Sequence, residues 1–220
     1  VKILVASCDN HADTFLPFHE CLERFYPTHP PVVYSTETVT NPYYQTISKN
    51  YPIQQWTRRI RETLEDLKNE YEILLMVDDC FIRKQVDLGR ITEARKLLHI
   101  YPDIACINFE KAYDTQNDYI YGISYMNRRP GAPWRVSIQC GLWNRENLMD
   151  VLSEDMDPWS VERIQPAKGY RYLINGGDYV IDYGYRFPQY MGIHNECWCR
   201  EAIDFFEREG IPWEKGREIR

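Results

Sequence analysis

The stretch Ile73-Leu74-Leu75-Met76-Val77-Asp78-Asp79-Cys80 decides how this chain folds. Five apolar residues run straight into two adjacent carboxylates. The run is short, is preceded by the polar pair Asn69-Glu70, and reads as a buried central strand. In an open α/β sheet, ligands bind in the crevice beyond the carboxyl ends of the strands. A carboxylate pair placed there is well sited to hold a divalent cation. Hard cations take carboxylate oxygen and complete their shell with water and substrate phosphates. Neighbours on an extended chain point to opposite faces, so one Asp is expected to meet the metal and the other a ribose or sugar hydroxyl. A plain solvated turn is the competing reading, since Asp is common there.

Outward from that strand, the first half alternates strands and helices. Lys2-Ile3-Leu4-Val5-Ala6 reads as strand 1, ending at Ser7-Cys8-Asp9-Asn10. Asp13 is a candidate cap for a helix with Phe15, Phe18, Leu22 and Phe25 on one face. Val32-Val33-Tyr34-Ser35-Thr36 is strand 2, and the polar stretch 37–55 after it is too long for a simple turn. Trp56, Ile60, Leu64 and Leu67 repeat at helical spacing. Leu88, Ile91, Ala94 and Leu98 mark another helix, with Asp87 as its cap, and 104–109 is the next strand. This order predicts an α/β fold with a mostly parallel central sheet flanked by helices.

The second half differs in texture. Residues 111–134 are polar and Tyr-rich, Arg135 to Trp143 reads as a strand, and Asn144 caps a short helix. An extended segment is expected at 179–187 and a helix from Asn195, stopped by Gly210 and Pro212. No linker composition or internal repeat divides the chain. One domain over 1–220 is expected, with a ligand-binding half at 1–110 and a second half at 111–220.

Composition narrows the function classes. The chain has 220 residues, 44% of them hydrophobic, so a folded core is expected. A net charge of −7 argues against a general nucleic-acid partner. No run approaches ~18 apolar residues, so no integral membrane segment is expected, and the apolar start is too short for a signal-peptide core. Seven cysteines without regular spacing do not make a disulfide framework; reduced thiols in a cytoplasmic protein are the simplest reading. Tyr (17) and Trp (6) outnumber Phe (8), and their flat faces with polar handles suit either sugar-facing surfaces or half-buried packing.

Trp56-Thr57-Arg58-Arg59, a helix, and then Leu74 to Phe81 together resemble nucleotide-sugar glycosyltransferases of the GT-A type, particularly bacterial and phage polysaccharide enzymes. Ser137-Ile138-Gln139-Cys140-Gly141-Leu142-Trp143-Asn144-Arg145, followed by Pro158-Trp159-Ser160-Val161-Glu162, resembles their acceptor-side half. The likeness covers roughly residues 2–165. It departs at the acids, which are adjacent here where such enzymes often carry Asp-any-Asp, so the pair is only DXD-like.

The resemblance implies a GT-A-like fold and transfer of a sugar from a nucleotide-diphosphate donor, UDP most often, to a carbohydrate acceptor for a cell-surface polysaccharide. It implies Mn²⁺ or Mg²⁺ on Asp79, with Asp78 as partner and His194 as a third ligand. Arg59 would meet the phosphates, because a guanidinium is planar and always charged; pairing of Arg58 and Arg59 with Glu62 or Glu65 on a solvated helix face is the alternative. Ser7 and Asp9 would border the nucleoside, although Asp9 also suits a turn cap. Glu162 would deprotonate the acceptor hydroxyl if the anomeric centre inverts, with Asp155 and Asp157 in reserve. Gln139, Trp143 and Trp159 would line the acceptor pocket, where both tryptophans equally suit packing.

The rival readings are a catalytically inactive relative that binds a nucleotide sugar or glycan, a receiver-type signalling domain, a glycoside hydrolase and a nucleotidyltransferase. A receiver domain wants its acidic pair after strand 1, where only Asp9 stands. A hydrolase needs carboxylates about 5–9 Å apart across a bond, and adjacent acids do not straddle one. A nucleotidyltransferase wants a Gly-rich loop after strand 1, and Ser7 to His11 has no glycine. Zinc at His194, Cys197 and Cys199 fails if 196–209 is helical, because residues two apart face about 200° away from each other.

Overall fold

A computed structural model describes residues 1–111, 117–119, 124–131, 134–164, 166, 168–184 and 192–220. The strands are β1 (Lys2–Ala6), β2 (Val32–Thr36), β3 (Gln45–Ser48), β4 (Glu72–Val77), β5 (Ile104–Lys111), β6 (Asn117–Tyr119), β7 (Tyr125–Arg128), β8 (Gly141–Asn144), β9 (Arg171–Asn175), β10 (Ile193–His194) and β11 (Cys197–Trp198). The helices are α1 (Phe15–Phe25), α2 (Trp56–Asp66), α3 (Leu88–Ile100), α4 (Arg145–Val151), α5 (Pro158–Ile164) and α6 (Arg200–Glu209). Among the described residues, nine strands form one sheet in the order β3-β2-β1-β4-β8-β5-β9-β7-β6, and β10 pairs with β11 apart from it.

Strands β3, β2, β1 and β4 pair in parallel, as do β5 and β9, while β8 lies antiparallel between β4 and β5. A strand from the second half of the sequence is therefore wedged between two strands of the first. Strand β7 runs antiparallel to both β6 and β9, so only β7 and β8 oppose the common direction among these strands. The sheet is α/β and mostly parallel, with helices on both faces.

Alternation along β1 and β4 explains the layering. Ile3, Val5, Leu74 and Met76 join one buried cluster with apolar residues of α1, α3 and α6. Leu4, Ala6, Ile73 and Leu75 join the other, with residues of α2, α4 and α5. Strands buried on both faces read as continuous apolar runs, which is why β1 and β4 stand out in the sequence.

Several boundaries differ from the sequence reading. The polar stretch 37–55 contains β3, an edge strand whose half-exposed residues carry little apolar pattern. Of the strand expected over 135–143, only residues from Gly141 form β8; Val136, Ile138 and Cys140 are buried without belonging to a strand. Asp13 does not cap α1: the N-cap is Thr14, and Asp13 instead forms a two-pronged ion pair with Arg217 at 2.6 and 2.9 Å. Asp87 and Asn144 do cap α3 and α4, accepting from the amides of Arg90 and Asn147. The last helix starts at Arg200, because Asn195 and Glu196 take left-handed backbone and turn β10 into β11. Gly210 ends it at φ +66°. Residues 112–116, 120–123, 132–133 and 185–187, parts of the segments read as 111–134 and 179–187, lie outside the described residues.

Candidate functional site

Three strand ends meet at the carboxyl edge of the sheet: Ser7 after β1, Glu37 after β2 and Asp78-Asp79 after β4. Asp78 is buried, and its oxygens are taken by protein groups. The Ser7 hydroxyl donates to Oδ2, Thr14 Oγ1 donates to the same oxygen at 3.3 Å, and His11 Nδ1 lies 3.1 Å from Oδ1. Burial opposes a charge on His11, but the Asp78 carboxylate and its hydrogen bond prevail and push its pKa up to about 11. His11 is thus held as an imidazolium beside Asp78. Asp78 meets protein hydroxyls where a ribose or sugar hydroxyl was expected.

Asp79 is 5% exposed, and the Cys80 thiol lies 3.9 Å from its Oδ1. Burial first, and then the Asp78 charge, raise its pKa to about 7, with His11 opposing. Its carbonyl accepts the amide of Gly192. A Cβ on Gly192 would stand 2.0 Å from the Phe81 ring, so the residue must be glycine for β10 to be delivered against this loop. Cys80 is a packing residue, buried beside Phe81 in the core.

The expected trio of Asp78, Asp79 and His194 does not gather. Among the described residues no three His, Cys, Asp or Glu side chains sit together as metal ligands. The physical reason is the direction of Asp78, which faces the β1 turn. What remains at this strand end is the Asp79 carboxylate, which fits Mg²⁺ or Mn²⁺, since these take one or two carboxylates and fill the remaining positions with water and phosphate oxygen. Among the described residues, no zinc-binding group forms at His194, Cys197 and Cys199 either.

Arg59 corrects another expectation. It is 1% exposed, donates to Glu37 and, at 2.6 Å, to the carbonyl of Ser7. Its guanidinium braces the ends of β1 and β2 and presents no open face to a diphosphate. The solvated-face reading holds for Arg58, which pairs with Glu62 one helical turn on at 3.2 Å. Asp9 accepts from the amides of Thr38 and Val39, each at 2.9 Å, and from the Thr38 hydroxyl. Burial opposes ionisation of Asp9, but these bonds hold its carboxyl below the usual range. It behaves as a cap on the loop after β2, and Glu37 accepts the Asp9 amide in return at 2.7 Å.

The second half supplies the remaining candidates. Glu162 lies on α5, where Asp157 caps the helix by accepting the Ser160 amide at 2.7 Å. Its Oε1 accepts from Ser137 Oγ and from the amide of Ile138, both at 3.1 Å. Burial raises its pKa, the two hydrogen bonds lower it, Glu110 raises it and Arg128 lowers it. Gln139, half-buried beside this contact, has its amide on Ser137 Oγ at 3.3 Å. Trp159 is 60% exposed one turn before Glu162. Trp143, expected in the acceptor pocket, is instead a core residue: it is 0% exposed in the middle of the sheet, opposite Ile73 and Cys106 and edge-on to Tyr172.

Glu110 was not singled out from the sequence. It follows the apolar run 104–109 at the carboxyl end of β5, on the same sheet edge as Asp79, and burial raises its pKa. The signal was present, since the pattern repeats that of Asp78 after residues 73–77.

No protein-family model matches this chain, and no curated protein matches it. Solved structures do. A fragment of S. aureus TarS covering its residues 1–349 superposes with a TM-score of 0.50 at 10% identity, over 81% of this chain and 59% of that one. Against the longer TarS chain the TM-score is 0.49 at 11% identity, and this chain spans 35% of its length. A variant of LgtC superposes with a TM-score of 0.49 at 10% identity, over 96% of this chain and 95% of that one. The likeness to the TarS fragment identifies the fold as GT-A-like.

Proposed function

We propose that this chain is a glycosyltransferase that moves a sugar from a nucleoside-diphosphate donor, a UDP-sugar in the simplest case, to a carbohydrate acceptor. The observation that carries the reading is Asp79: a buried carboxylate at the carboxyl edge of a GT-A-like sheet, outside the hydrogen bonds from Ser7, Thr14 and His11 that consume Asp78. Asp79 would hold Mn²⁺ or Mg²⁺, with His194 as the neighbouring ligand. Bound there, the ion would neutralise charge on the departing diphosphate.

The chain's own groups have distinct tasks in this reading. Asp78, Ser7, His11 and Thr14 fix the end of β4, and so the direction in which Asp79 points. Arg59, Glu37 and Asp9 hold the β1 and β2 loops as the wall of the nucleoside pocket. Glu162, oriented through Oε1 by Ser137 and Ile138, accepts the proton of the acceptor hydroxyl in an inverting transfer. Gln139 and Trp159 border the acceptor.

The consumed Asp78 also favours a second reading, a catalytically inactive relative that binds a nucleotide sugar or glycan. Calorimetry of UDP with and without Mn²⁺, on the wild type and Asp79→Ala, tests the metal-donor site. Metal-dependent binding is expected to be lost in the variant; unchanged affinity and unchanged metal response would overturn the proposal. Donor hydrolysis with Mn²⁺ separates the two readings, since an inactive relative binds without turnover.

A further inference from the structure

Glu110 is a carboxylate that the site described above leaves without a task. Its place follows from the strand register. Leu75, Gly141 and Asn108 stand level on β4, β8 and β5. The Phe109 amide donates to the Cys140 carbonyl at 3.1 Å, which carries the alignment of β5 with that segment one residue further. Glu110 is therefore level with Gln139. The two residues before Gln139, Ser137 and Ile138, hold Glu162 Oε1 at 3.1 Å each. Only the short segment 137–139 separates the two acids. On its other side the end of β5 is fixed by the Val180 amide, which donates to the Phe109 carbonyl at 3.3 Å. The Glu110 amide itself donates to Asn108 Oδ1 at 2.8 Å.

The groups acting on the pair come from several elements. At Glu110, burial raises the pKa, while a hydrogen bond with the Tyr183 hydroxyl and the charge of Arg128 on β7 lower it. At Glu162, the Glu110 charge adds to burial, against Ile138, Ser137 and Arg128. Glu162 is the acid raised by its neighbour, so Glu110 ionises first. The thiols of Cys80, Cys106 and Cys140 also feel the Glu110 charge, and burial holds all three neutral. We infer that Glu110 is a positioning residue for sugar transfer: its carboxylate, set across residues 137–139 from Glu162, makes Glu162 the stronger base. A fixed negative charge disfavours a second one nearby. When the acceptor hydroxyl gives up its proton, an O–H bond breaks on the acceptor and one forms on Glu162. The Glu110 charge favours that neutral product and makes no bond itself. The inference rests on Glu162 being the base, and deepens that reading.

The test is a pH titration of the full chain, labelled with carbon-13 at the glutamate carboxyls and read by NMR. Glu110→Gln and Glu162→Gln assign the two signals. In the wild type each signal should show both steps, the mark of coupled sites. In Glu110→Gln the Glu162 midpoint should fall by about one pH unit, a tenfold loss of proton affinity, and Glu110→Asp should keep most of the wild-type value. The limb of the rate–pH profile should move down by the same amount. A merely structural role would lower the melting temperature and leave the midpoint in place. The inference is overturned if the Glu162 midpoint of folded Glu110→Gln stays at the wild-type value. Should that variant not fold, independent single steps for the two wild-type signals overturn it. Donor hydrolysis and transfer with Mn²⁺ are scored separately. Activity with an unmoved midpoint removes the inference alone; a moved midpoint in a chain without activity removes the transferase reading, and the positioning role with it.

Discussion

The turn region around Asp78 and the region around Glu162 use polar groups in opposite ways. Around Asp78, the named groups are matched to one another: Ser7, Thr14 and His11 on Asp78, Arg59 on Glu37, and Thr38 and Val39 on Asp9. Around Glu162, Trp159 stands in water and a carboxylate is held above its ordinary range largely by burial. The first region is a frame, and its removal should register in stability. The second, as the proposed acceptor side, should register its removal in turnover.

The largest expected effect is on Glu162. Glu162→Gln should lower sugar transfer by about 10²–10⁴-fold while the melting temperature stays near the wild-type value. A base works only when deprotonated, and burial holds Glu162 above the usual carboxylate range. The rate should therefore rise with pH through a limb above that range. Steady-state rates across pH check both points, and transfer retained in the Gln variant would remove Glu162 as the base.

Asp78→Ala should act mainly through stability. It takes the carboxylate partner from half-buried His11 and the acceptor from the Ser7 and Thr14 hydroxyls, a loss of about 1–3 kcal/mol. At about 2–4 °C per kcal/mol the melting temperature should fall by roughly 5 °C, measured by calorimetry. A variant that melts like the wild type but no longer binds donor would place Asp78 on the functional side of the comparison instead.

A smaller effect concerns pH. The folded pKa of His11, about 11, lies above its ordinary value of 6.5, so the stability it contributes is complete below the lower value and is lost as pH rises toward the higher one. Asp79, raised from 3.8 to about 7, acts between those two values and so below that window. Between pH 8 and 10 in chelator, the wild type should therefore lose melting temperature faster than His11→Gln. Parallel slopes would mean that the imidazolium is not formed.

The smallest effect is expected at Trp143. Its Nε1 has no hydrogen-bond partner, so Trp143→Phe loses packing only, about 1–2 kcal/mol. Acceptor affinity should be unchanged; a large fall in a glycan titration would return Trp143 to the site.

The parallel core was legible because strands buried on both faces need apolar residues at every position, as β1 and β4 show. β3 was hidden because an edge strand has one open side and no such need. Residues 135–140 misled for a related reason: Val136, Ile138 and Cys140 alternate like a strand, yet they are buried without a ladder. In the site, the location of the acids at a strand end could be read, because apolar patterning sets where a strand stops. Which acid faced inward could not, because that depends on Ser7, His11 and Thr14, some seventy positions away. Arg59 misled because helical spacing shows which residues share a face, but not that Glu37 waits across the β2 loop.

The close approach of Gly192 to Phe81 has a consequence for when the site comes into being. Every strand of the nine-stranded sheet lies before residue 176, so the sheet's pairing partners all precede the segment 192–220 in the chain. The contacts that seat the Asp79 loop are Gly192 on its carbonyl and Arg217 on Asp13, beside the turn that carries His11. Contacts of such high sequence separation close late in folding. A chain emerging from synthesis should acquire its sheet first and its acidic site only when residues 192–220 fold back. Pulse-labelled hydrogen exchange should accordingly protect β1 and β4 before the amide of Gly192.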